Sequence, residues 1–246
     1  MDSEPVIEVS GARFSWRDDL APVVAIDSLR VARGERVLLR GASGSGKSTF
    51  LSLLAGVSTA RAGSVRVLGR DLGALPGSAR DQFRADHIGV IFQLFNLVTY
   101  LSVIENVALP CAFSKRRRER CTRSGASVAE AAAALLDHLD LGGAEMAGRS
   151  AGELSVGQQQ RVAAARSLIG APEVVIADEP TSSLDADRRG AFLELLFREC
   201  TREGTTLVFV SHDASLAPLF DRAMEFAALN RAAGPGERPA TPAGAA

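Results

Sequence analysis

Short runs of apolar residues alternate along this chain with longer segments in which apolar positions recur at helical spacing. The short runs predict strands at residues 6–9, 12–16, 24–31, 36–40, 64–67, 88–93, 174–177 and 206–210. Helical spacing or alanine-rich sequence predicts helices at residues 48–55, 129–139, 156–169 and 187–200. Strands that alternate with helices in this way predict a mostly parallel α/β core.

Two changes of composition divide the chain into regions. From about residue 94 to residue 152 the strand-like runs give way to helix-forming sequence, which predicts a mainly helical subdomain inserted into the sheet domain. Residues 229–246 are rich in alanine, proline and glycine, so we expect a disordered tail there. The folded domain is then expected to span residues 1–228.

The overall composition excludes several classes of protein. With 246 residues the chain can form one core, or one core with a subdomain, and its net charge of −1 gives no reason to expect nucleic acid as a partner. The basic run at residues 115–120 could be a nucleic-acid or lipid patch, although a solvated helix or loop is favoured. The sequence has no apolar run of about 18 residues, no signal-peptide pattern and no metal spacing among its three cysteines. We therefore expect a cytoplasmic protein without disulfides.

A glycine-rich loop lies between the strand predicted at residues 36–40 and the helix predicted at 48–55. Its sequence, GASGSGKST, matches the phosphate-binding pattern G-x-x-x-x-G-K-[ST]. Glycines let backbone N–H groups converge on phosphates, and the following helix contributes the positive end of its dipole. Lys47 would reach the β and γ phosphates, and Ser48 would bind Mg²⁺ through its hydroxyl. The expected nucleotide-binding residues of the loop are Gly41, Ser43, Gly44, Gly46, Lys47, Ser48 and Thr49.

A pair of acids follows the apolar strand predicted at residues 174–177. Asp178 would hold Mg²⁺ directly or through water. Glu179 would orient and polarise an attacking water as a general base. Two acids could simply begin a loop, but the phosphate loop upstream disfavours that alternative.

The order of these motifs resembles the ATP-binding cassette subunits of ABC transporters over about residues 5–228. The family signature LSGGQ stands here as LSVGQ at residues 154–158, and Val156 replaces its first glycine. We expect function to survive that replacement, and whether it alters turnover stays open. The resemblance implies an α/β fold of the P-loop NTPase (RecA-like) type, with a parallel-sheet core, an N-terminal antiparallel β part and the inserted helical subdomain.

The resemblance also implies a head-to-tail dimer of two cassettes around ATP and Mg²⁺. Ser155, Gly157 and Gln158 of one cassette would bind the ATP that the glycine loop of the other cassette holds. Ser155 is expected to cap the helix that follows it whether or not it binds phosphate.

Two polar residues after predicted strands match catalytic positions of the family. Gln93 matches the glutamine that touches Mg²⁺ or the attacking water and senses the membrane partner, and a plain polar strand end is its alternative. His212 matches the switch histidine that hydrogen-bonds the γ-phosphate. His87 and His138 are assigned to structure or surface.

Two further positions are weighed against structural alternatives. Asp185, in the sequence SLD at residues 183–185, matches the loop that crosses the dimer seam, and a helix N-cap is equally compatible with its spacing. Trp16 lies where the family places an aromatic residue that stacks on adenine. Phe14 competes with it, since strand alternation puts both on one face.

The function implied by the resemblance is ATP hydrolysis that drives a separate transmembrane permease. The protein would then be peripheral on the inner face of the cell membrane, as a homodimer or paired with a related cassette. The segment at residues 96–110 resembles cassettes of the lipoprotein-releasing and macrolide-exporting type, and it would either receive the permease or belong to the core. A soluble ABC-type ATPase acting on nucleic acid or ribosomes is the alternative, and a small-molecule kinase is disfavoured because it gives no reason for LSVGQ.

Overall fold

The computed structural model describes residues 4–182 and 184–232. The described residues form the strands β1 (Ile7–Phe14), β2 (Val24–Val31), β3 (Arg36–Arg40), β4 (Ala62–Val67), β5 (Arg70–Asp71), β6 (Ile88–Ile91), β7 (Val174–Asp178), β8 (Thr206–Ser211) and β9 (Arg222–Glu225). Their α-helices are α1 (Lys47–Leu54), α2 (Gly77–His87), α3 (Val103–Phe113), α4 (Lys115–Thr122), α5 (Val128–His138), α6 (Ala144–Gly148), α7 (Val156–Leu168), α8 (Ala186–Glu203) and α9 (Phe226–Leu229). Short 3-10 helices lie at Ala151–Glu153 and Ala214–Leu219.

The strands form two sheets of different type. A five-stranded sheet has the order β6-β7-β8-β3-β9, and all neighbouring strands in it run parallel. A four-stranded sheet has the order β2-β1-β4-β5, and its neighbouring strands run antiparallel. The predicted α/β fold class is confirmed, with a parallel core and an N-terminal antiparallel part.

Strand β8 lies at the centre of the parallel sheet and is buried along its whole length. Because side chains alternate between the faces of a strand, its residues divide between two cores. Leu207 and Phe209 pack on the side of α3 and α7, whereas Val208 and Val210 pack on the side of α1 and the antiparallel sheet. The parallel sheet is therefore covered on both faces, as parallel sheets require.

The region predicted as an inserted helical subdomain, residues 94–152, contains α3, α4, α5 and α6. Ser102 and Ser127 begin α3 and α5 with capping boxes, in which a glutamate three residues later returns the hydrogen bond. The buried side chain of Val107 in α3 shares a core with Ala163 in α7. The region packs on the helix that follows it through this core.

The structure differs from the sequence prediction at several elements. Residues 6–9 and 12–16, predicted as two strands, form the single strand β1, whose register against β4 shifts between Ser10 and Arg13. No apolar run predicts α2 or β9, because neither has a fully buried residue. An element without a buried stripe leaves no hydrophobic period in the sequence.

The basic run at residues 115–120 forms a largely exposed helix, as predicted, with the exception of Arg117. It forms most of α4, and Arg117 within it is only 2% exposed. The guanidinium of Arg117 donates hydrogen bonds to the carbonyl oxygens of Ile88, Ser167 and Ile169. Burial lowers the pKa of Arg117 to about 10, which leaves the side chain charged at neutral pH. Arg117 therefore fastens α4 to the start of β6 and to the end of α7.

The helices do not include a membrane span. With 18 residues, α8 is long enough to be considered, but acidic and basic side chains occur along its length. Across residues 4–182 and 184–232, no helix combines the length and the apolar character that crossing a bilayer demands.

Candidate nucleotide-binding site

The carboxyl ends of three neighbouring strands meet at one edge of the parallel sheet. Strand β3 ends at Arg40, in register with Ser211 at the end of β8. Strand β7 ends at Asp178, which pairs with Val210, the residue before Ser211 in β8. The segments that follow these ends carry the glycine loop, Glu179 and His212. Parallel pairing therefore brings together residues that are far apart in the sequence, at the edge where open α/β sheets bind ligands.

The glycine loop has the backbone that a phosphate site needs. Gly46 is the N-cap of α1 with φ of +96°, and a Cβ atom there would lie 2.8 Å from the carbonyl oxygen of Val23. Gly44 also has a left-handed φ, of +77°. No side chain caps α1, so the N–H groups of its first turn stay available to an anion. The hydroxyl oxygen of Ser45 is buried without a hydrogen-bond partner among the described residues, which also fits a ligand with acceptor oxygens.

Lys47 holds its charge inside the loop. The residue is 5% exposed, and its Nζ donates to the carbonyl oxygens of Gly41 and Ala42 at 2.8 and 2.6 Å. Its Nζ also lies 3.9 Å from Oε1 of Glu179. A compact ammonium held within the glycine loop is a point charge of the kind that suits phosphate.

Asp178 and Ser48 lie together beside the loop and line the same cleft. Burial raises the pKa of the Asp178 carboxyl, and the Glu179 carboxylate raises it further, while Ser48 and Lys47 oppose the rise. A bound Mg²⁺ would favour the charged carboxylate there, and a hydroxyl and a carboxylate are oxygen ligands of the kind that Mg²⁺ prefers. The two residues therefore fit the metal-binding role predicted for them.

Glu179 and His212 form a pair across the ends of β7 and β8. Nδ1 of His212 lies 2.9 Å from Oε2 of Glu179. The Glu179 N–H donates to the carbonyl oxygen of Val210 at 3.0 Å, although the residue has a left-handed φ of +44°. Such a conformation costs free energy in a residue with a side chain and is concentrated at functional sites. The strained backbone directs the Glu179 carboxylate toward the glycine loop and His212.

The signature segment lies apart from this cluster. Ser155 is the N-cap of α7 and forms a capping box with Gln158. Ser155 is exposed and Gln158 is half-buried, and among the described residues their side chains bond only within this turn. Val156 is half-exposed, and a Cβ atom on Gly157 would have open space around it. The first turn of α7 therefore presents its surface away from the glycine loop of the same chain.

Two further predicted residues are also separate from the cluster. Asp185 is exposed and caps α8, so the structural alternative holds for it, while Ser183 of the same motif lies outside the described residues. Gln93 is exposed after β6, and its side chain makes no hydrogen bond among the described residues.

Burial distinguishes the two aromatic residues that compete for the adenine-stacking role, Phe14 and Trp16. Phe14 is 8% exposed, whereas Trp16 is 60% exposed. Strand β1 ends at Phe14, so the alternation expected to put both residues on one face does not extend to Trp16. The two rings meet edge to face, with centroids 5.0 Å apart. Phe14 is therefore a core residue, and Trp16 is the ring with a face available for stacking.

An apolar cleft of about 990 Å³ opens beside Ser48 and Asp178. Its walls come from α1, α2, the end of β6, α3 and α7. The segment at residues 96–110 contributes both to the core, through Val107, and to the cleft, through Leu109 and Pro110. The core alternative therefore holds for Val107, and the expectation that the segment receives a permease stays a prediction.

Asn230 is a supporting residue that the sequence does not reveal. It is 9% exposed, and its Nδ2 donates to the carbonyl oxygens of Ser45 in the glycine loop and of Val23 behind it. Its Oδ1 accepts from the N–H of Ala25 at 2.7 Å. The packed domain thus extends past the boundary predicted at residue 228, because the loop is braced by a residue beyond it. Residues 233–246 of the predicted tail lie outside the described residues.

Comparisons of sequence identify a family for this chain. The family model described as "ABC transporter" matches residues 25–182. The uncharacterized ABC transporter ATP-binding protein YbbA of Escherichia coli K12 is 39% identical over 227 residues, which cover 91% of this chain and 95% of YbbA. The macrolide export ATP-binding/permease protein MacB of Sodalis glossinidius is 39% identical over 215 residues, which cover 87% of this chain and 31% of MacB. The chain therefore spans about a third of the length of MacB.

Comparisons of structure lead to the same family. The dimeric structure of MJ0796, a bacterial ABC transporter cassette, has a TM-score of 0.77 and 31% identity, and the match covers 89% of this chain and 93% of that one. A dimeric post-hydrolysis state of MJ0796 bound to ADP and Pi has a TM-score of 0.74 at 30% identity, with the same coverage. With its glycine loop, acid pair and signature segment in place, this chain belongs to the ABC transporter family as an ATP-binding, ATP-hydrolysing cassette.

Proposed function

We propose that this protein is the energy subunit of an exporter or lipoprotein-releasing ABC transporter, in which two cassettes close around two MgATP and drive a separate permease. The observation that carries the proposal is the convergence of Lys47, Ser48, Asp178, Glu179 and His212 at one edge of the parallel sheet. These side chains supply a phosphate ligand, metal ligands, a base and its hydrogen-bonding partner. The reaction is attack of water on the γ-phosphorus of ATP.

Each residue of the cluster has a distinct part in hydrolysis. Lys47 and the first-turn N–H groups of α1 bind phosphate oxygens and neutralise their charge. Glu179 orients the attacking water and accepts its proton, while His212, within hydrogen-bond distance of that carboxylate, reaches the γ-phosphate. Ser48 and Asp178 would hold Mg²⁺, which would neutralise charge on the phosphates, and Gln93 would reach the metal or the attacking water from the turn after β6. Trp16 stacks on adenine.

A second cassette completes the site in this proposal. Ser155 is exposed, and among the described residues no hydrogen bond joins Ser155, Gly157 or Gln158 to the glycine loop of their own chain. The N-terminus of α7 offers N–H groups and a hydroxyl to an anion, which suits a γ-phosphate presented by a partner. The dimeric MJ0796 structures support this arrangement. Asp185, exposed at the start of α8, would lie at the seam between the two cassettes.

The apolar cleft is the proposed docking site for the permease. Phe92 and Phe113 both line the cleft and are 44% and 68% exposed. Apolar side chains exposed together on a soluble domain mark an interaction surface. A short amphipathic helix from a membrane partner would cover them and hold the cassette at the inner face of the membrane. MacB, whose name describes both an ATP-binding and a permease function, supports export as the direction of transport.

The dimer part of the proposal is tested with the full-length Glu179→Gln variant, in which the base is removed and the phosphate ligands stay. We expect gel filtration to show a dimer with MgATP and a monomer with MgADP, because only ATP carries the γ-phosphate that the two chains share. The double variant Lys47→Ala with Glu179→Gln is the matched control and should stay monomeric. A Glu179→Gln protein that remains monomeric at saturating MgATP would refute the sandwich mechanism.

The transporter part is tested by recovering tagged Glu179→Gln protein from detergent-solubilised cells with MgATP. A polytopic membrane protein in stoichiometric amount supports the permease assignment. Ribosomal proteins or nucleic acid in its place would support the alternative of a soluble ABC-type ATPase. Replacing Phe92 and Phe113 of the cleft by serine should abolish recovery of a permease while leaving the MgATP-dependent dimer intact.

A further inference from the structure

Gln93 sits at the tip of a tight pair of turns that follows β6. The N–H of Phe95 donates to the carbonyl oxygen of Phe92 at 2.9 Å, and the N–H of Asn96 donates to that of Leu94 at 2.6 Å. The strand fixes where this turn begins. Because Gln93 has no side-chain hydrogen bond among the described residues, its position depends on what holds the far end of the turn.

The far end of the turn has a strained backbone. Phe95 and Asn96 both adopt a left-handed φ, of +58° and +49°. Asparagine tolerates this region, but a bulky residue such as phenylalanine rarely enters it. Such a conformation persists only where the surroundings enforce it. Burial of the Phe95 ring, which is 6% exposed, is one such constraint.

A second constraint comes from Arg166 on α7. Its Nη1 donates to the carbonyl oxygen of Asn96 at 2.7 Å, and its Nη2 donates to that of Phe95 at 2.5 Å. A planar guanidinium can grip two successive carbonyls in this way, whereas a lysine ammonium cannot reproduce the fork. Among the described residues no carboxylate lies within 4 Å of Arg166, so its charge is compensated by these carbonyl dipoles. Burial lowers the pKa of Arg166 without any acid to oppose it.

We propose that Arg166 is a positioning residue for ATP hydrolysis, which holds the left-handed turn at Phe95 and Asn96 and thereby sets the position of Gln93. This inference rests on the proposed function, since it assigns Gln93 to the hydrolytic site. Arg166 links the Gln93 turn to the signature segment, because it lies on α7, the helix that Ser155 caps. A displacement of α7 would pull on the turn directly.

The same contact faces the apolar cleft. Arg166 and Asn96 both line the cleft, next to Phe92 at the start of the turn. A partner seated in the cleft would therefore press on the turn that Arg166 holds. Through the two hydrogen bonds of Arg166, a partner bound in the cleft would change the position of Gln93.

The chain offers a matched control on the same helix. Arg161 also uses its guanidinium to grip two backbone carbonyls, those of Leu139 and Asp140, at 3.3 and 3.0 Å. Those carbonyls belong to the end of α5 and not to the Gln93 turn. Arg161→Met thus removes two guanidinium–carbonyl hydrogen bonds, both made by Nη1, from α7 without touching the turn.

The experiment measures steady-state ATP hydrolysis and MgATP affinity for the full-length variants Arg166→Met, Arg166→Lys, Arg161→Met, Gln93→Ala and the double variant of Gln93 and Arg166. For Arg166→Met we expect kcat to fall about tenfold or more, as misplacement of a reacting group does, with the Kd for MgATP changed less than about twofold. Arg161→Met should keep kcat within about twofold. Arg166→Lys should fall nearly as far as Arg166→Met, because it keeps the charge and loses the fork.

The double variant separates positioning from general damage. If Arg166 acts through Gln93, the double variant should be no slower than the worse single variant. Multiplicative losses, a normal kcat in Gln93→Ala, or equal losses in Arg166→Met and Arg161→Met would each overturn the proposal. Should Arg166→Met fail to fold, Arg166→Lys carries the same comparison. Continued hydrolysis by Glu179→Gln would instead refute the proposed function, whatever the Arg166 variants show.

Discussion

The glycine-loop edge and the helical region at residues 94–152 are built in opposite ways. At the edge, each functional side chain stands within a few residues of a strand end, so a short motif carries both the chemistry and its placement. In the helical region, Arg117 anchors α4 to carbonyls that lie 29, 50 and 52 residues away. The first region is encoded locally and the second by contacts between distant segments. Substitutions at the glycine-loop edge should therefore mainly weaken nucleotide binding, and substitutions in the helical region should mainly lower the free energy of unfolding.

The largest effect is expected at the edge, from Lys47→Ala. The buried ammonium is the positive side chain inside the glycine loop, and its loss should weaken MgATP binding by about a hundredfold or more. The free energy of unfolding without nucleotide should change far less, because Lys47 bonds mainly to the carbonyls of its own loop. Titration calorimetry and chemical denaturation of the same preparation measure the two quantities. Affinity within a few-fold of that of the unaltered protein would remove the loop from the ATP site.

For Arg117→Met we expect the reverse, a large loss of stability with little change in MgATP affinity. The change leaves three buried carbonyls without their donor, which should lower the free energy of unfolding by about 3 kcal/mol. Affinity for MgATP should stay within about twofold when the folded fraction is taken into account. Arg118→Met is the matched control, since Arg118 is exposed and bonds to one carbonyl. Equal midpoints of denaturation for the two variants would show that Arg117 is not an anchor.

These two sites also show what could be predicted from the sequence. The central strands, the glycine loop and the acid pair were within reach because each has a local pattern. Arg117 was not, because a basic run usually marks a solvated surface and its acceptors are distant in the sequence. Arg166 was hidden for another reason: only two of the 28 basic residues are lysine, so one more arginine carries no information. Helix α2 has no buried residue and therefore no period to detect.

A smaller effect, dependent on pH, is expected from Glu173, next to the Arg117 anchor. Burial alone would raise the pKa of Glu173, but His87, Arg116 and Arg120 outweigh burial and hold the pKa well below its usual range. A lowered folded-state pKa contributes stability above the unfolded value of about 4.5, and this contribution is lost as the pH falls below it. Glu173→Gln should therefore cost about 2 kcal/mol at neutral pH and progressively less toward pH 3.

Urea denaturation of both proteins between pH 7 and pH 3 measures this difference. Glu119→Gln is the control, because Glu119 is exposed on α4, the helix that supplies Arg116 and Arg120, and among the described residues it pairs only with Lys115. Its effect on stability should be slight across the whole range. A Glu173→Gln difference that stays constant as the pH falls would mean that the ion pairs of Glu173 do not stabilise the fold.

The smallest effect is expected on MgATP affinity, from replacement of Trp16. The edge of its ring rests near Phe14 while 60% of the residue is exposed, so removing it costs the folded chain little and deprives adenine of a stacking surface. Trp16→Ala should raise the Kd for MgATP about fivefold, which corresponds to about 1 kcal/mol, and should leave the denaturation midpoint unchanged. Since Trp16 is the single tryptophan, quenching of its fluorescence on addition of MgATP reports the contact directly in the unaltered protein. Leu20→Ala, at another exposed apolar residue of the same loop, should leave the affinity as it is. A nucleotide that binds without quenching would place adenine elsewhere, and the edge of the sheet would then recognise the phosphates alone.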